Sequence, residues 1–224
     1  MYIDPKNPFR TDTAAKTPGL LARATLSRAL DIVIAALALA FFLPLFAVTA
    51  IAIKLTDPGP VLFGHRRIGL GGKSFRCWKF RSMVVDAEAR LANILANDPE
   101  AAREWAEQQK LTDDPRVTRL GNFLRRSSLD ELPQLWNVLV GEMSIVGPRP
   151  IVETEAARYG PHFALYCLVR PGITGLWQIS GRSDIHYFER VLLDVRYVSS
   201  RTTWRDLRII VLTVPSVLAA RGSR

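Results

Sequence analysis

The chain has 224 residues and a formal net charge of +9, yet 48% of its residues are hydrophobic. That length carries one domain with a sizeable core, or a membrane element plus a smaller domain, and the uneven hydrophobicity favours the second. Such a composition suits a basic protein held at an anionic membrane or handling phosphates, while Cys77 and Cys167, with no CxxC or His-rich spacing, argue against a disulfide framework or a zinc site.

Residues 1–28 form a polar leader in which Arg10, Lys16, Arg23 and Arg28 face Asp4 and Asp12, and Pro5, Pro8 and Pro18 interrupt any helix. Disorder is the expectation there. Residues 29–55 form the membrane element, since the 22 positions from Ile32 to Ile53 carry no charge and match the hydrocarbon core in length. A cleavable signal peptide is disfavoured because the apolar run starts late and is too long. Pro44 falls near the middle of the run and removes a backbone hydrogen bond. Basic residues flank both sides (Arg23 and Arg28 before, Lys54, Arg66 and Arg67 after), which draws both ends to the cytoplasmic face. A re-entrant helix broken at Pro44 satisfies both pulls; an ordinary span with a tolerated proline is the alternative.

Residues 56–224 then form the domain outside the membrane element, at the cytoplasmic face or the interface. Asp57-Pro58-Gly59-Pro60 stops the helix, and Val61–Phe63 and Ser74–Ser82 read as strands of a hairpin turned by Gly69, Gly71 and Gly72. Gly72-Lys73-Ser74 ends like a phosphate-binding loop, but Arg67 occupies the position of its first glycine. Strand alternation puts Lys79 and Arg81 on one side, spaced to grip a phosphate or to form a solvated face. Residues 83–97 and the stretch opened by Asp98-Pro99 read as scaffold helices bearing Leu91, Ile94, Leu95, Ala102 and Trp105. Asp113-Asp114-Pro115 reads as a turn and cap rather than a metal site, before a short helix with Leu120, Phe123 and Leu124 inward.

The stretch from Arg125 to Pro150 places two adjacent carboxylates among cations. Ser128 with Glu131 reads as a capping box, which sets Asp130 and Glu131 in the first turn of a helix with Leu132, Leu135, Trp136 and Leu139 on its apolar face. Capping alone would account for both carboxylates, at about 0.3–1 kcal/mol each. Val146-Gly147-Pro148-Arg149-Pro150 brackets an arginine with two prolines, a rigid setting suited to a phosphate clamp. Arg170-Pro171-Gly172 and Ser180-Gly181-Arg182 repeat the theme of arginine beside glycine or proline. A helix over Asp206–Ala220 is amphipathic enough to lie on the membrane or pack on the core.

In their order these pieces resemble the bacterial sugar transferases, the monotopic polyprenyl-phosphate phosphoglycosyl transferases. The resemblance runs from about Arg23 to the C-terminus and rests on Asp57–Pro60, Lys79-Phe80-Arg81-Ser82-Met83, Ser128–Gln134, Val146–Pro150 and Arg170–Gly175. Ser82 stands where the family often has threonine, and Leu43 where it often has a small polar residue before the membrane proline. The resemblance implies an α+β fold, mainly helical with a small β-hairpin, anchored as a monotopic protein in the bacterial inner membrane with its catalytic domain on the cytoplasmic face. It implies transfer of a sugar 1-phosphate, galactose or glucose, from a UDP-sugar to undecaprenyl phosphate with Mg²⁺, the first membrane step of exopolysaccharide, capsule or O-antigen synthesis. Asp130 would be the nucleophile, releasing UMP and holding the sugar phosphate covalently; spacing alone does not separate it from Glu131. Asp130 and Glu131 would hold the metal, and Lys79, Arg81, Arg149, Arg170 and Arg182 the phosphates. Membrane lipids are expected partners and nucleic acid is not, since the chain has no recognition-helix or RNA-binding signature. Association into a homo-oligomer is left open. A non-catalytic membrane scaffold is the competing class; it would leave a UDP-sugar intact when mixed with lipid phosphate.

Overall fold

A computed structural model describes residues 18–108, 111–180 and 186–218; the leader before Pro18 and the candidate Arg182 lie outside them. The chain opens on α1 (Pro18–Thr56), whose 39 residues reach about 58 Å at 1.5 Å per residue. The helix runs on through Pro44 without interruption where a break was expected. One proline removes a single amide donor, and the turns on either side hold.

After the Asp57–Pro60 stop come β1 (Leu62–Ile68) and β2 (Ser74–Phe80), an antiparallel hairpin in the register Leu62↔Phe80 to Ile68↔Ser74. The first strand is longer than the sequence suggested, because alternation is obscured by Arg66 and Arg67. Gly71 and Gly72 supply the positive φ of the turn, 69° and 74°. Next are α2 (Ala87–Asn97) and α3 (Pro99–Gln108), which pack on each other. Asp98 caps the second, its Oδ1 accepting from the Glu100 and Ala101 amides at 2.9 and 3.1 Å. Asp114 pairs with Arg116 at 2.6 Å, and that guanidinium lies over the Trp105 ring, as a structural turn would have it.

Helix α4 (Arg119–Arg126) starts at Thr118, whose Oγ1 accepts from the Gly121 amide. Leu124 is buried on its inner face, but Phe123, expected inward, is 60% exposed. A 3-10 turn (Leu129–Glu131) leads into α5 (Gln134–Val140). The expected capping box is absent: Ser128 takes φ 59°, ψ 15°, and its side chain makes no cap bond. The apolar face of α5 also turns differently. Leu135 and Val138 are buried, while Trp136 is 56% exposed, because the helix begins five residues later than the cap pattern implied.

Then follow β3 (Ser144–Val146), α6 (Glu153–Tyr159), α7 (Phe163–Tyr166), β4 (Gly172–Thr174), α8 (Leu176–Ile179), α9 (Tyr187–Ser199) and α10 (Thr203–Leu218). The parallel pair β3 and β4, unforeseen from sequence, joins the two proline-glycine motifs, with Ser144↔Gly172 and Val146↔Thr174 in register. Their backbones approach so closely that a Cβ on Gly147 would sit 2.5 Å from the Arg170 carbonyl. Only glycine fits there.

The main core gathers Phe75, Cys77, Leu135, Val138, Met143, Ile145, Tyr197 and Ile209 around Ala35 of α1. A second cluster forms around Ile68, Ile151, Tyr159, Tyr166 and Val191. The described residues are thus mainly helical, with two small sheets and one long apolar N-terminal helix. On α1 the side chains of Leu37, Phe41, Leu43, Val48, Ile51 and Leu55 remain 60–81% exposed, an apolar surface that water would not favour and a bilayer would.

Candidate active site

Asp130 is 6% exposed in the turn that precedes α5. The residue two before it, Ser128, is the one non-glycine with positive φ among the described residues. A left-handed conformation costs a residue with a Cβ about 1–2 kcal/mol. It sharpens the bend between α4 and the 3-10 turn, and so brings the carboxylates against β2. There Lys79 Nζ lies 2.7 Å from Glu131 Oε1 and 3.5 Å from Asp130 Oδ2. From the other side comes Arg125, whose charge also acts on Asp130 and whose Nε donates to Ser82 Oγ at 2.9 Å.

Burial pushes the Asp130 carboxyl above its usual range, Lys79 opposes the shift, and the neighbouring Glu131 reinforces it. For Lys79, burial would lower the pKa, but the Glu131 and Asp130 carboxylates outweigh it and the ammonium is held above its usual value. An acidic group pressed toward neutrality beside a retained cation is the setting of a carboxylate that must be both ionised and reactive.

Arg81 and Arg170 are not gathered at this point. Arg81 does not share a target with Lys79: past the end of β2 its Nη2 donates to the Asp57 backbone carbonyl and lies 3.7 Å from Asp57 Oδ2. That side chain fills the space a Cβ on Gly59 would need, so it braces the loop after α1. Arg170 Nε donates to the Gly141 carbonyl at 2.7 Å, and Arg28 of α1 donates to the Val138 and Leu139 carbonyls. Both cap the C-terminal end of α5, whereas Asp130 precedes its N-terminal end. Asp31 completes this contact, accepting from Ser144 Oγ and the Ile145 amide at 2.8 and 2.9 Å.

Arg149 lies with its guanidinium 5.2 Å from the centre of the Trp177 ring. Its like charge, after burial, lowers the pKa of Arg67, whose Nη1 donates to the Pro150 carbonyl and faces Glu155 at 3.6 Å. Both arginines act electrostatically on Cys77, as do Lys79 and Glu131, which joins this basic patch to the carboxylates along one face of the hairpin. His65 shares the patch, its pKa lowered by burial, Arg67 and Lys79. Arg67, His65 and Arg125 were not proposed as site residues from the sequence; their packing partners come from the fold. Underneath, Asp194 is fully buried, accepts from the Tyr159 hydroxyl at 2.8 Å, and is pushed by burial up to about 7.

Two carboxylates in adjacent positions fit a magnesium ion of the kind that takes one or two protein oxygens and completes its shell with substrate phosphate and water. Among the described residues no cluster of three or more His, Cys, Asp or Glu side chains offers a self-sufficient metal site. Any ion held by Asp130 and Glu131 would therefore depend on the substrate for its other ligands.

The bacterial sugar transferase family model matches residues 22–220. The exopolysaccharide production protein ExoY of Rhizobium meliloti is 47% identical over 88% of this chain and 87% of its own length. The undecaprenyl-phosphate galactose phosphotransferase of Salmonella typhimurium is 48% identical over 88% of this chain, which spans 41% of that longer protein. The UDP-glucose:undecaprenyl-phosphate glucose-1-phosphate transferase of Escherichia coli is 44% identical over 84% of this chain and 39% of its own length. A match across nearly the whole chain, together with such identities, is decisive: the chain belongs to the bacterial sugar transferase family.

Proposed function

We propose that the chain transfers a sugar 1-phosphate, galactose or glucose, from a UDP-sugar to undecaprenyl phosphate with release of UMP, initiating exopolysaccharide synthesis. The named activities of the Salmonella typhimurium and Escherichia coli relatives support the substrates. The observation that carries the chemistry is the buried Asp130 carboxylate held 3.5 Å from Lys79 Nζ beside Glu131.

An Asp130 oxygen attacks the β-phosphorus of the UDP-sugar; the bond from that phosphorus to the bridging oxygen breaks, and UMP leaves with the electron pair. An oxygen of undecaprenyl phosphate then attacks the same phosphorus and the acyl phosphate bond breaks, restoring the Asp130 carboxylate. Splitting one displacement in two lets the soluble and the lipid substrate use the same site in turn. Lys79 keeps Asp130 ionised and offsets repulsion as the diphosphate approaches. Arg149, oriented by the prolines and by Trp177, contacts the phosphates, while Arg81 and Arg170 serve from the positions described above by fixing the loop after α1 and the end of α5. Arg182 is assigned to the phosphate at the nucleotide end of the donor. Magnesium bound at Asp130 and Glu131 would supply charge neutralisation for the diphosphate.

The membrane element is read as re-entrant, with both ends on the cytoplasmic face of the inner membrane. In support, its two ends pack on the same domain: Asp31 and Ala35 against β3 and α5, Phe46 and Ile53 against Phe80 and Leu124. A helix crossing the bilayer would carry one of these contacts to the opposite side. Because α1 keeps its helical course through Pro44, this reading takes the reversal as a bend of the helix at the proline and not as a break in it. Single cysteines at the two termini should both resist a membrane-impermeant thiol reagent in intact cells, and labelling of the N-terminal one alone would establish a span.

The function is tested with purified protein in lipid, offered UDP-galactose and UDP-glucose. UMP should appear without lipid acceptor at about one equivalent per enzyme, with a sugar phosphate on the peptide containing Asp130. Multiple turnovers that require acceptor from the start, with no adduct, would replace the covalent path by direct transfer.

A further inference from the structure

We propose that Asn137 is a positioning residue whose carboxamide fixes β2 against α5 and thereby sets the separation of Lys79 from Asp130 and Glu131. The inference rests on the reading of Asp130 as the nucleophile. Strand β2 pairs with β1 through its odd-numbered residues, as in the Arg81 amide donating to the Val61 carbonyl, so the polar groups of Arg76 and Trp78 face away from β1. What meets that edge is α5. Asn137, fully buried, takes the place of a strand: its Oδ1 accepts from the Trp78 amide at 3.0 Å and its Nδ2 donates to the Arg76 carbonyl at 2.7 Å. The second Nδ2 hydrogen goes to Glu142 Oε2 at 2.6 Å, and the Asn137 backbone carbonyl accepts from the Glu142 and Met143 amides.

One side chain therefore joins the strand beside Lys79 to the helix that follows the carboxylates. The chemistry explains the residue type. Aspartate would lose both donors, leucine would strand three polar groups in the interior, and glutamine carries the same groups one methylene too far out to meet both strand positions without displacement. A lysine stem has four rotatable carbons and cannot fix its own ammonium, so the position of Lys79 relative to Asp130 depends on how firmly the strand is held.

The readout is the rate constant of single-turnover UMP release at one fixed pH, set beside KM for the UDP-sugar and beside Tm. The Asn137→Gln and Asn137→Leu variants are compared with wild type, with Lys79→Met, and with the double variant Lys79→Met/Asn137→Gln, in lipid with UDP-galactose or UDP-glucose. Asn137→Gln should lower that rate constant at least about tenfold with less than a twofold change in KM, and the loss it adds should vanish in the Lys79→Met background. If Asn137→Leu fails to fold, the glutamine variant alone carries the test. A wild-type rate constant in folded Asn137→Gln, with only Tm lowered, overturns the positioning role while Lys79→Met still slows UMP release. If Lys79→Met does not slow it either, the reading of the Lys79–Asp130 pair fails and this inference fails with it.

Discussion

Replacing Lys79 by methionine removes the ammonium from between the two carboxylates and keeps a stem of similar length. Unit charges 3.5 Å apart interact by about 1.2 kcal/mol at a dielectric constant near 80 and about 4.7 kcal/mol near 20, or roughly 0.9 and 3.5 pKa units. The Lys79 side chain is 32% exposed, so solvent screening draws the effect toward the lower half of that range. A rise of about 1–2 units in the Asp130 pKa is expected. The sign follows from the chemistry: the nucleophile must be ionised, burial already lifts its pKa, and loss of the cation lifts it further. Activity, lost as pH falls through the Asp130 pKa, should then disappear closer to neutrality than in wild type. The assay is single-turnover UMP release without acceptor from pH 4 to 9, beside a thermal melt that certifies the fold. A folded Lys79→Met protein whose acid limb stays within about 0.3 unit of wild type would refute the electrostatic role of Lys79.

Asp130→Asn should abolish UMP release while raising Tm at neutral pH, since a carboxyl with a raised pKa makes the fold less stable as it ionises; retained turnover would leave only a capping role. Arg149→Lys keeps the charge but loses the planar pair of donors, so kcat/KM should fall at least about tenfold with little change in Tm, and an unchanged rate would make Arg149 structural. Gly147→Ala forces a methyl against the Arg170 carbonyl and should cost at least about 2 kcal/mol in a denaturation series, because the neighbour is backbone and cannot swing away. Asp194, pushed up to about 7 by burial, takes stability from the fold as pH rises from the usual carboxylate range through 7; Asp194→Asn should flatten that decline in melts between pH 5 and 8.

The apolar run at 32–53, the hairpin signalled by glycines, and the acidic pair before Pro133 could be read from local pattern because each depends on local physics. Uncharged length marks a membrane element, positive-φ glycines mark a tight turn, and short motifs in a fixed order carry the family resemblance. Lys79 and Asp130 were legible as candidates, but not as a pair, since they lie 51 positions apart and a strand had to meet a turn to join them. Trp136 was expected inward because helical spacing was counted from the wrong start: Ser128 bends left-handed rather than capping, and that choice belongs to the packing of the turn at Leu129–Glu131 against α4 and β2. Arg81 and Arg170 looked like Lys79 and Arg149 in sequence, since a cation on a strand face or beside a proline reads the same whether it meets a phosphate or a carbonyl. Only the tertiary structure, by bringing the Asp57 loop to one and the end of α5 to the other, distinguished them. The β3–β4 pair was beyond local pattern for the same reason: three-residue strands gain their hydrogen bonds solely from a partner distant in the chain.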